Sequence, residues 1–106
     1  MKVYCAGPMR GHDKHNFPAF DALRDKLLSL GHKVISPADM DRAGGFHATD
    51  HGYDFDIKTA LARDISAMMG CDAIVLMDGW ENSTGANAEL AYAKAVGLKI
   101  LYAKDL

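Results

Sequence analysis

Four short apolar runs alternate with segments of helical periodicity, and this alternation limits the possible folds more than any other feature. The runs are KVYCA (Lys2 to Ala6), KVISP (Lys33 to Pro37), DAIVLM (Asp72 to Met77) and KILYA (Lys99 to Ala103). The first ends at Gly7-Pro8 and the second at its own proline, so both read as short buried strands. Between the first two, Phe20, Leu23, Leu27 and Leu30 recur at helical spacing. Asn16 is placed to cap that helix, with Pro18 tolerated in its first turn and Gly31 at its stop. A second helix is expected from Ile57 to about Met69, capped by Asp56 and stopped by Gly70. A third occupies STGANAELAYAKAVG, Ser83 to Gly97. Residues 38–55, with Gly44-Gly45 and two histidines, read as one long polar connection. It is too long for a simple linker in a compact domain, which predicts a functional lid or wall.

The resulting order, β-α-β-α-β-α-β, predicts an α/β fold. Specifically, it predicts a three-layer, flavodoxin-like or Rossmann-like parallel sheet of about four strands with helices on both faces. Right-handed crossovers favour strand order 2-1-3-4. A ligand crevice then opens outside the carboxyl ends of strands 1 and 3, where the chain reverses direction across the sheet. GPMRG (Gly7 to Gly11) and DGWENSTG (Asp78 to Gly85) border it.

The 106 residues fit a single domain, 1–106, able to bury roughly 65% of its unfolded surface without staples. A composition of 49% hydrophobic and 25% charged residues, at net charge −2, argues against disorder and against a nucleic-acid polymer as partner. Cys5 and Cys71 form no CxxC and read as reduced core thiols. The N-terminus runs directly into a strand pattern, and no apolar run approaches the roughly 20 residues of a membrane span. The cytoplasm is therefore the expected location, with no membrane partner.

Two carboxylates stand in unusual places. Glu89 lies near the start of the third helix, on a face shared with Ala93 and Val96, and the helix dipole there favours an ionised acid. Gly85, Ala86 and Ala88 would let a ligand approach the backbone. Asp64 falls on or beside the apolar stripe formed by Ile57, Ala60, Leu61, Ile65 and Met68, a costly place unless the group is paired or functional. Pairing with Arg63 is one reading, although adjacent residues diverge on a helix. GPMRG combines glycines, backbone N–H groups and the Arg10 guanidinium, which are parts of a phosphate cradle. Ser83 and Thr84 could donate to the same phosphate, or serve as turn and cap. His47 and His51, with Asp50 and Asp54 nearby, have i, i+4 spacing, but the stretch is interrupted by glycine and is not expected to bind metal. His12 and His15 lie in the loop after strand 1, where they could touch substrate, although nothing in the pattern requires it. Trp80 and Tyr53 are candidates for stacking on a base or for covering the crevice.

Taken together, YCAGPMRG, NFPAFDALRDKLLSLGHKVISPA, LARDISAMMGCDAIVLM and STGANAELAYAKAVG resemble the nucleoside 2-deoxyribosyltransferase-like superfamily. The closest likeness is to its short bacterial and phage members of uncharacterised function. The resemblance covers nearly the whole chain apart from the loop in the 40s. It implies cleavage of the N-glycosidic bond of a 2′-deoxynucleoside or nucleotide by a glutamate nucleophile, matched by Glu89. Asp64 would contact the sugar and assist proton transfer, and Tyr4 would hydrogen-bond the nucleophile. As in 2′-deoxynucleoside 5′-phosphate N-hydrolases, Met9, Arg10 and Gly11 would hold a 5′-phosphate together with Ser83, a serine six positions before the glutamate. Gly7, Asp78 and Gly85 complete the expected substrate-binding set. The two carboxyls of such a retaining mechanism should stand roughly 5 Å apart, and no metal or organic cofactor is expected. The pattern ends after the fourth strand, whereas many members have a fifth. The resemblance also implies a homodimer or higher homo-oligomer in which a neighbouring subunit completes each pocket. A rival reading, from a different class, is a sensor or accessory module that binds a nucleotide without cleaving it.

Overall fold

The computed structural model describes residues 1–45 and 57–106. Strands β1 (Lys2–Ala6), β2 (Lys33–Ile35), β3 (Ala73–Leu76) and β4 (Lys99–Tyr102) form one parallel sheet in the order β2-β1-β3-β4, as the alternation predicts. The helices are α1 (Phe17–Ser29), α2 (Pro37–Ala43), α3 (Ile57–Met68) and α4 (Thr84–Val96).

Strand pleating sorts the core into two layers. Val3, Cys5, Ala73 and Val75 face Phe17, Phe20, Leu23 and Leu27 of α1. Tyr4, Ala6, Ile74 and Leu76 face Met68 of α3 and Ala86, Leu90 and Ala93 of α4. The register pairs Tyr4 with Ile35 on one side and Ile74 on the other, so the tyrosine stands mid-sheet, fully buried beneath α3 and α4. Cys5 and Cys71 are free and buried in opposite layers. Burial pushes the Cys5 thiol up to about 12 and moves Cys71 upward as well.

Residues 38–55, expected as one polar connection, begin instead with α2. The local signals are an extended Ser36, Pro37 in the first turn, Asp39 beside it and Arg42 in the last turn, an arrangement that complements the helix dipole. Arg24 Nη1 meets Asp39 Oδ1 at 2.6 Å, and Arg42 Nη2 meets Asp21 Oδ2 at 2.6 Å, tying α2 to α1. Exposed pairs of this kind contribute under about 1 kcal/mol each. Apolar contacts do more: Ala38 joins the α1 layer while Met40 packs against the other, so α2 touches both. His47, Asp50, His51, Tyr53, Asp54 and the expected cap Asp56 lie outside the described residues.

Asn16 occupies the cap position of α1 but does not cap it. Its backbone is left-handed (φ 59°), and its Nδ2 donates to the Pro8 carbonyl at 2.8 Å, fastening the β1–α1 loop instead. Lys14 and His15, just before it, are also left-handed, at φ 51° and 55°. Another expectation needs correcting. Val96 is 53% exposed and does not share the buried face of Glu89, because the last turn of α4, with Lys94 and Ala95, faces outward. Met68, on the expected apolar stripe, is fully buried, while its neighbour Met69 is 75% exposed. Among the described residues, no helix is long and apolar enough to cross a membrane.

Candidate active site

A cavity of about 260 Å³ opens beyond the carboxyl ends of β1 and β3, where the strand order predicts a crevice. The loop after β1 contributes Gly7, Pro8, Met9, Arg10 and His12 to its wall, and Pro37 closes it from the end of β2. Ala60, Leu61 and Asp64 reach it from α3. Asn82, Ser83, Thr84, Gly85, Ala86 and Glu89 reach it from the start of α4.

The carboxyls meet because three elements aim at one point. Pleating turns Tyr4 toward α3 and α4, and its hydroxyl donates to Glu89 Oε2 at 2.5 Å. Asp64 and Glu89 come within hydrogen-bonding reach of each other. Both are buried, Glu89 to 4% exposure and Asp64 to 8%. Arg63 does pair with its neighbour: Nη2 and Nε donate to Asp64 Oδ1 at 2.7 and 3.0 Å. Adjacent helical residues diverge at Cβ, but the long guanidinium arm folds back to close that gap. The same guanidinium reaches Asp41 of α2, Nη1 to Oδ1, at 2.8 Å.

These surroundings reverse the expected charge on Glu89. Burial, followed by the Asp64 charge, raises its carboxyl to about 9, against which the Tyr4 hydrogen bond and Arg63 pull downward. The helix dipole does not prevent this, because its influence fades within the first turn and Glu89 stands in the second. Burial also raises Asp64, but Arg63 and the hydrogen bond from Glu89 oppose the rise. Tyr4 is driven well above its ordinary value by burial and by both carboxyls, so it remains a donor. Two acids this close titrate as a pair, and the guanidinium that grips Asp64 favours residence of their proton on Glu89.

The remaining expected residues divide. Gly7, Met9, Arg10, Ser83 and Gly85 line the cavity, whereas Gly11 and Asp78 are exposed and do not. Gly7 is required by the fold itself, since a Cβ there would lie 2.8 Å from Met77 Cβ. A Cβ on Gly85 would meet nothing within 4 Å, so that position leaves room for a ligand. Arg10 makes no ion pair with any described residue. Ser83 Oγ accepts from the Ala86 N–H at 3.1 Å, capping α4, and its own hydroxyl proton remains available to a ligand. His12 lines the cavity but His15 does not, its ring packing edge-on against Phe17. Trp80 packs on the α3/α4 layer and is not part of the cavity wall. Among the described residues, no cluster of three His, Cys, Asp or Glu side chains could hold a metal ion.

Sequence reasoning missed Asp41 and Pro37. The signal for both was Ser36-Pro37 followed by Asp39 and Arg42, which marks a helix after β2 and so brings Asp41 toward α3.

Fold and site together describe a flavodoxin-like α/β protein with an acidic ligand crevice at its switch point. The chain matches the family described as Domain of unknown function (DUF4406) over residues 1–102 and belongs to it. Comparison with curated proteins finds no match. Among solved structures, the chain is similar to the "2-desoxiribosyltransferase from Leishmania mexicana", with TM-score 0.67 and 21% identity. The similarity covers 95% of this chain and 62% of the other, so this chain spans less than two thirds of that protein. At that identity the likeness establishes the fold, which agrees with the sequence resemblance to the nucleoside 2-deoxyribosyltransferase-like superfamily.

Proposed function

We propose that this protein cleaves or transfers the N-glycosidic bond of a 2′-deoxynucleoside or its 5′-monophosphate, with Glu89 as nucleophile and a glycosyl-enzyme intermediate. The observation that carries this reading is the contact among Tyr4, Glu89 and Asp64 at a cavity that Arg10 also lines. The sequence resemblance supports it, as does the name of the structural neighbour.

The proton on Glu89 orders the steps. Bound substrate excludes water, and the proton passes from Glu89 to Asp64, leaving Glu89 ionised and Asp64 acidic. Glu89 then forms a bond to C1′ as the C1′–N bond breaks, and Asp64 gives its proton to the departing base. Water or an acceptor base next attacks C1′, Asp64 takes a proton back, and the bond to Glu89 breaks. Carboxyls close enough to share a proton suit direct attack on the sugar. An inverting pair stands wider apart, roughly 6.5–9.5 Å, to admit water between them. Arg10, Ser83 and the loop N–H groups bind the 5′-phosphate and so position the reacting carbon. No residue role in this scheme calls for a metal or organic cofactor.

One observation favours the rival reading, a nucleotide-binding module without turnover: a glutamate raised to about 9 is a hydrogen-bond donor at pH 7 rather than a nucleophile. Incubation with a panel of deoxynucleosides and deoxynucleotides, followed by chromatography for free base, separates the two. Release of base by the wild type, reduced at least ~100-fold in Glu89→Gln with ligand binding retained, supports the glycosidase. Binding without any base release supports the module.

A further inference from the structure

Asp41 is 3% exposed, and Arg63 Nη1 lies 2.8 Å from its Oδ1. Its second oxygen, Oδ2, is buried without a hydrogen-bond partner among the described residues. A buried carboxylate held by one guanidinium is costly for stability alone, since an apolar side chain would serve as well. What the arrangement achieves is at the other end of the guanidinium. Nε and Nη2 both grip the same oxygen of Asp64, Oδ1, leaving Oδ2 outside the clamp. Arg63 does not line the cavity, whereas Asp64 does.

We propose that Arg63, shared between Asp41 and Asp64, is a positioning residue: it fixes which Asp64 oxygen is presented to the cavity and sets how strongly that acid holds its proton. This rests on the glycosidic reading only for its catalytic meaning. Charge counting gives the reason for a shared guanidinium. Alone with Asp64, Arg63 would neutralise it and hold it firmly ionised, a poor proton acceptor. Asp41 draws off part of that positive charge, so Asp64 keeps enough proton affinity to take the proton of Glu89. Among the described residues, the groups acting on Asp64 are Tyr4 from β1, Asp41 from α2, Arg63 on its own helix and Glu89 from α4, with Arg10 and His12 across the same cavity. Of these, only Asp41 and Arg63 stand off the cavity wall and away from the Tyr4–Glu89 hydrogen bond.

The test is the titration of the Asp64 carboxyl in the full chain without ligand, followed by carbon-13 NMR and assigned by its loss in Asp64→Asn. Asp41→Asn releases Arg63 wholly to Asp64, and the midpoint should move to lower pH by about one unit. Asp41→Asn combined with Arg63→Gln removes both charges without stranding either, and the midpoint should move to higher pH by about one unit or more. Shifts in opposite directions support the proposal. Shifts in the same direction, or none, overturn it and leave Arg63 as a tie between helices. Base release by the wild type is measured separately. Opposed shifts in a protein that releases no base uphold the positioning role and count only against the glycosidic reading.

Discussion

Glu89 titrates in a direction opposite to that of most surface acids, and the consequence is measurable without a substrate. Its folded value is raised to about 9 from an ordinary 4.5. Between those values the folded chain binds more protons than the unfolded chain. Stability is therefore fully retained below the unfolded value and declines as pH rises toward the folded one. The slope for one such group cannot exceed about 1.4 kcal/mol per pH unit. Chemical denaturation from pH 5 to 9 should show this decline, and Glu89→Gln should flatten it. The amide can accept from Tyr4 and donate to Asp64, so the variant should equal or exceed the wild type in stability at pH 8. A steep decline persisting in the variant would place the titrating group elsewhere. Arg10 tests the ligand class. As a guanidinium without a described ion-pair partner, it should contribute about 1.5–3 kcal/mol to binding a 5′-monophosphate and almost nothing to the nucleoside, as compared by calorimetry with Arg10→Ala. Equal losses for both ligands would remove the phosphate from the reading.

The start of α4 has two duties that one side chain can disguise. Ser83 Oγ caps the helix through the Ala86 N–H, and the same hydroxyl faces the cavity. Ser83→Ala should cost about 1 kcal/mol of stability, whereas Ser83→Gly, which leaves the cap N–H groups open to water, should cost only a few tenths. Both remove the hydroxyl. If it also holds a phosphate, nucleotide binding should weaken equally in the two variants despite their unequal stability. Binding that tracks stability instead would reduce Ser83 to a cap. On α3, Asp64→Asn leaves the Arg63 guanidinium to Asp41 alone, so chemical denaturation should show a loss of stability from the broken Arg63–Asp64 pair rather than relief of an unpaired buried charge.

At the scale of the molecule, the exposed side chains beside the site suggest how copies associate. Met69 just past the end of α3 is 75% exposed, Ala91 of α4 is exposed and Tyr92 is half-buried, while Met68 belongs to the core. Together with the resemblance, this leads us to propose a two-fold homodimer built mainly from α3 and α4 and burying more than about 1,000 Å² in total. Light scattering over a dilution series should give twice the chain mass at micromolar concentration. A monomer that still releases base would show that one chain holds a complete site.

The strand order, the helices on both faces and the place of Glu89 beside the crevice were legible in the sequence, because hydrophobic period and crossover handedness are local or topological rules. Periodicity placed Asp64 only on an apolar stripe, its role and that of Tyr4 beside Glu89 came from the resemblance, and α2 was legible in principle from Ser36-Pro37 and its flanking charges. Three things required the tertiary structure. The Arg63 clamp on Asp64 and Asp41 depends on a long side chain folding back between helices that sequence spacing does not relate. Gly7 serves Met77, a packing constraint set by the adjacent strand rather than by any ligand. The proton on Glu89 is decided by burial and by a second carboxyl brought from 25 residues away. Desolvation and charge proximity act through space, so a sequence position at the start of a helix suggested an ionised acid where the fold opposes ionisation.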